Sequence, residues 1–110
     1  MNYSTEIGVA MENTFHALPP EERAAVISHG VAVRFSELNK RHFLAESKIR
    51  FFEDKYKATL SEIERKGLPD DADYEMHEDY VMWSHWTDAL GKVKSQVRAL
   101  QKIAELGVYR

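Results

Sequence analysis

The chain has 110 residues, 44% of them hydrophobic, and a formal net charge of −3; this is one domain's worth of sequence, with apolar content for a modest core. It contains no cysteine, which excludes disulfides, thiolate catalysis and Cys-based zinc sites and fits a reducing compartment. No apolar run approaches about 18 residues, and Met1-Asn2-Tyr3-Ser4-Thr5-Glu6 lacks the basic and apolar regions of a signal peptide, so a soluble cytoplasmic protein is expected.

In chain order, Ile7, Met11, Phe15 and Leu18 recur at steps of four, four and three, which is one helical face. The spacing predicts a short amphipathic helix over about 4–18, with Ser4 or Thr5 as N-cap and Pro19-Pro20 as the stop. The same prolines, followed by Glu21-Glu22, are suited to open a second helix. From there to Lys66 the only glycine is Gly30 and there is no further proline, so one long helix is predicted over about 20–66, with Gly30 its candidate kink. Lys66-Gly67-Leu68-Pro69 reads as its C-terminus. Residues 67–73, with Asp70, Asp71 and Asp73, read as a turn and N-cap. A last helix is predicted over about 74–106, with Gly107 beyond its end.

Both long segments carry a heptad pattern. In the first, Val31, Phe35, Leu38, His42, Ala45, Ile49, Phe52, Tyr56, Thr59 and Ile63 alternate by four and three. In the second, Met76, Trp83, Trp86, Leu90, Val93, Val97, Leu100 and Ala104 keep the same rhythm, with Asp79 as the one polar break. Such a repeat is a coiled-coil seam, and a short loop makes the helices antiparallel. Facing residues then have numbers of nearly constant sum, near 139, which sets Tyr56 beside Trp83 and Ile49 beside Leu90. The expected fold class is all-α: a long antiparallel helical hairpin with a short N-terminal helix folded back to cover Val26, Ile27 and Val31.

Several residues fall outside the seam. Phe43, Leu44 and Phe51 lie on the back of the long helix, and Val81 and Met82, with Tyr80, lie beside the seam of the last one. They are expected to form a subunit or partner interface, dimerisation being the simplest case. Arg34, Arg41, Lys48 and Lys55, spaced by sevens, form a basic stripe flanking the seam. The matching flank of the last helix supplies Met82, Ala89, Gln96 and Ile103, so the stripe is expected to stay unneutralised within the hairpin. Asp70, Asp71, Asp73, Glu75, Glu78 and Asp79 make an acidic run suited to a helix start.

Catalytic and metal motifs are missing. His77-Glu78 opens like a zincin helix, but position 81 is Val. No histidine has a glutamate three residues before it, as di-iron bundles require. His42, at a seam position, reads as a core histidine with its polar edge at the surface. Tyr56, Tyr80, Trp83 and Trp86 with Phe52 fall at core spacing, and could alternatively line a pocket near the tip.

Ile49-Arg50-Phe51-Phe52-Glu53-Asp54-Lys55-Tyr56, then Asp73 to Tyr80 and Trp83, resembles small prokaryotic helical-hairpin proteins of toxin–antitoxin-like loci. Those often carry glycine after the tyrosine, where this chain has Lys57. The resemblance implies no catalytic residue. The expected function is a non-enzymatic, self-associating interaction protein that masks a protein partner, antitoxin-like, with no cofactor or metal. Two alternatives remain open: a helical-bundle metal protein or enzyme using Asp73, His77 and His85, and a basic-stripe nucleic-acid binder.

Overall fold

A computed structural model describes residues 3–106, with side chains from residue 5 onward. Its described residues form four helices: α1 (Tyr3–His16), α2 (Pro20–Tyr56), α3 (Leu60–Lys66) and α4 (Tyr74–Glu105). None of them is long and apolar enough to cross a membrane. The chain divides into two compact units. One comprises residues 1–35 and 99–110, the other residues 36–98.

In the first unit, α1 stops two residues before the expected end. Leu18 precedes Pro19, and the residue before a proline avoids the α region. The Arg23 guanidinium closes the end, donating to the carbonyls of His16 (2.8 Å) and Leu18 (2.9 Å). Ser4 and Thr5 lie inside the helix rather than capping it. The predicted inner face of α1 is largely uncovered: Ile7 is 43% and Met11 68% exposed, while Phe15 and Leu18 are half-buried. Ile27 and Val31 are half-buried, but Val26 stays 52% exposed. The residues of α1 are spaced for a face, yet a face is buried only where something packs on it. α2 continues through Gly30 without a break. Gly107, the expected cap of α4, lies outside the described residues.

The second unit holds the hairpin seam. Its buried residues are Leu38, Ala45 and Phe52 on α2 and Trp83 and Val93 on α4, every one a seam position. His42, Ile49, Tyr56, Met76, Trp86, Leu90 and Val97 are half-buried beside them. The rings of Phe52 and Tyr56 both stack on Trp83, with centroids 5.8 and 5.9 Å apart, which places Tyr56 beside Trp83 in the antiparallel register. Asp73 caps α4, its carboxylate accepting from the Met76 amide at 2.8 Å.

The long helix predicted to reach Lys66 is instead interrupted after Tyr56. Lys57 takes a left-handed conformation (φ 52°). Thr59 then starts α3, its hydroxyl accepting from the Glu62 amide at 3.2 Å. The Thr59-x-x-Glu62 pattern is a helix-start signature, and it overrides a heptad rhythm that would have carried α2 on to Ile63. Gly67 closes α3 at φ 77°, where an L side chain is disfavoured, and its amide bonds Ile63 at 2.7 Å. Because a left-handed backbone costs a non-glycine residue about 1–2 kcal/mol, Lys57→Gly is expected to be more stable than Lys57→Ala. After the greater chain entropy of glycine is deducted, the difference is about 0.5–1 kcal/mol. The urea midpoints of the two variants give the comparison, and equal midpoints would refute it.

Candidate functional site

Two features of the second unit, residues 36–98, go beyond the packing of its seam. The first is a set of exposed apolar residues on α2 and α4. Phe43 is 72%, Leu44 46% and Phe51 58% exposed on α2, and Val81 62% and Met82 43% on α4. Leu44 and Phe51 are seven residues apart and so share one line along α2, adjacent to the line of Arg41, Lys48 and Lys55. Phe43 lies further round the back of the helix. Phe51 meets the neighbouring core residue Phe52 edge to face, with centroids 5.3 Å apart.

The basic stripe departs from the sequence expectation. Lys55 is neutralised within the hairpin: its ammonium reaches Glu75 at 2.8 Å and Asp79 at 2.6 Å. The flank of α4 does carry a charge, because Glu75 sits one heptad before Met82. Asp79, the polar break in the seam, is the second partner. Arg34 is also engaged. Arg41 and Lys48 are exposed, with no ion pair among the described residues. His42 keeps its polar edge at the surface, 3.3 Å from Glu46.

Around Lys55 the charges interlock. The Tyr56 hydroxyl donates to the same Asp79 oxygen at 2.5 Å. Burial alone would raise the Asp79 carboxyl, but hydrogen bonds from Lys55 and Tyr56 outweigh it and hold the pKa below the usual value. The Tyr56 phenol is pushed up to about 12, first by burial and then by the hydrogen bond to Asp79. The ammonium of Lys55 is raised by its bonds to Asp79 and Glu75.

These shifts bound a pH window for stability. Asp79 releases its proton more readily in the folded chain, so its contribution is present at neutral pH and lost as pH falls below about 4. Tyr56 ionises near 10 when unfolded and near 12 when folded, so its contribution is lost as pH climbs through that interval. Asp79→Asn is expected to cost about 1–3 kcal/mol at pH 7. The difference from the native chain should shrink below pH about 4 and above about 10. Urea titrations at pH 3, 7 and 11 measure it, and a difference independent of pH would contradict the assignment.

The second feature is a cavity of about 500 Å³ at the tip, where α2 gives way to α3 and the chain turns into α4. Tyr56, Ile63, Leu68, Met76, Tyr80 and Trp83 supply most of its wall. The aromatic cluster is therefore both core and lining: Trp83 is 1% exposed, yet Tyr56, Tyr80 and Trp83 border the space. Heptad spacing cannot indicate such a cavity, because it lies where the repeat is interrupted.

Among the described residues no three His, Asp or Glu side chains converge on one point. Asp73 serves as a cap, and His77 and His85 are exposed on α4. Comparison with protein-family models, with curated proteins and with solved structures finds no match for this chain.

Proposed function

We propose that this chain is a non-enzymatic interaction protein, a helical hairpin that pairs with its own copy through the outer face of α2. The same face would mask a protein partner, in the manner of an antitoxin-like inhibitor. One observation carries the reading. The hairpin of the second unit has a seam of buried and half-buried residues, yet leaves Phe43, Leu44 and Phe51 of α2 exposed outside it. Apolar residues grouped in this way outside a core are characteristic of an interaction surface. Arg41 and Lys48 border the strip, and such charges orient an acidic partner more than they add affinity.

The resemblance to small proteins of toxin–antitoxin-like loci supports the same role. Those often have glycine after the tyrosine, and this chain departs from that pattern with Lys57. The test is sedimentation equilibrium at micromolar concentration, with the native chain and with Phe43→Glu/Phe51→Glu. Co-purification of a partner from the native cells, lost in the same variant, tests the masking role. A native monomer that captures nothing would end the proposal.

A further inference from the structure

We infer that a cleft between α2 and α4, away from the tip, binds a phosphate group. Asn39 and His42 of α2 and Lys94, Val97 and Arg98 of α4 line about 300 Å³ there. All five lie within the second unit, residues 36–98. The inference is independent of the exposed apolar residues on α2.

The charges set the sign of the ligand. Lys94 and Arg98 are four residues apart and so are neighbours on one side of α4. Both are exposed, and neither has an ion pair among the described residues. Like charges at this spacing destabilise a helix, and an anion between them offsets their repulsion. The surrounding sequence supplies no counter-charge: from Ala89 to Ala104, α4 carries Lys92, Lys94, Arg98 and Lys102 and no Asp or Glu. On α2, Glu46 approaches the lining residue His42 at 3.3 Å, but it is shared with Arg50 at 3.9 Å and does not itself line the cleft.

The donors narrow the anion. Arg98 gives one N–H to the Ser95 hydroxyl at 3.1 Å, which leaves the rest of its guanidinium fork to a ligand. The Lys94 ammonium and the Asn39 amide have no hydrogen-bond partner among the described residues. Donors from both helices, with two full positive charges, match a tetrahedral dianion that accepts on every side. A carboxylate, with one charge and two oxygens, would use only part of this set. Val97, half-buried in the lining, gives an apolar contact to an organic group esterified to the phosphate.

The test is titration calorimetry of the full chain with phenyl phosphate, inorganic phosphate and benzoate, in about 0.1 M salt, where exposed charges more than about 10 Å apart are screened. The native protein should bind one equivalent of phenyl phosphate, and benzoate at least about tenfold more weakly. Lys94→Met and Arg98→Met should each weaken phenyl phosphate about two- to fivefold, the share of one exposed charge pair. Lys92→Met removes the same charge outside the cleft and should leave the affinity unchanged. All three side chains are exposed, so helical circular dichroism should not change in any variant. Inorganic phosphate separates the two sources: affinity equal to that of phenyl phosphate assigns the free ion, and weaker affinity assigns an ester. No binding of either phosphate, benzoate bound as tightly as phenyl phosphate, or equal weakening by Lys92→Met would each overturn the inference.

Discussion

Replacing Trp83 with alanine is expected to lower the unfolding free energy by about 3–5 kcal/mol, the range for a buried aromatic deleted from a core. Trp83 is 1% exposed and receives the stacked rings of Phe52 and Tyr56. Among the described residues, the other buried seam positions are Leu38, Ala45, Phe52 and Val93. Five such residues make a narrow core, so removing the largest takes a disproportionate share of the packing. It also withdraws the surface against which α2 ends. Trp86→Ala, at a half-buried position, should cost clearly less. Urea denaturation followed by helical circular dichroism compares the two. A loss below about 1.5 kcal/mol at Trp83 would mean that the stack contributes little beyond contact with solvent-accessible neighbours.

The second large effect is expected at the outer face of α2. Each phenylalanine gains roughly 1.5–3 kcal/mol when fully buried. A twofold pairing through this face would use Phe43 and Phe51 from both copies. Glutamate at both positions removes that gain and sets like charges against each other across the axis. The dimer dissociation constant should rise by at least about a hundredfold. Stability of the hairpin itself should change by less than about 0.5 kcal/mol, since both side chains are exposed within one chain. The pattern of outcomes is informative: unchanged helicity with halved mass assigns the face to association. A variant that sediments like the native chain places any association elsewhere.

The seam was legible in the sequence because every position that repeats by three and four between Val31 and Tyr56 is buried or half-buried. Asp73 as a cap and Gly67 as a terminator were equally legible, since each does what its backbone or side-chain chemistry favours. The break at Lys57 was written in the sequence as well, in Thr59 and Glu62. It was obscured because Thr59 and Ile63 happen to continue the heptad count. The neutralisation of Lys55 was missed because the α4 flank was not extended one heptad back to Glu75 and Asp79 was taken as a break in the seam rather than a partner. The face of α1 was misjudged for a different reason. Periodicity identifies which residues could be buried together, but whether Ile7 and Met11 are covered depends on tertiary packing that periodicity does not encode.

Helix α3 has only seven residues between two left-handed positions, Lys57 and Gly67. A helix so short has no stability of its own in water, and none of its residues is fully buried. Its persistence depends on the Thr59 cap, the Glu64–Tyr80 hydrogen bond and the contribution of Ile63 to the cavity wall. It is therefore the segment able to open by itself while α2 and α4 stay paired. In native-state hydrogen exchange its amides should lose protection through a low-energy local opening, far ahead of those around Ala45 and Val93. Any molecule held in the cavity would slow that exchange in proportion to its occupancy, which makes α3 a built-in reporter of binding.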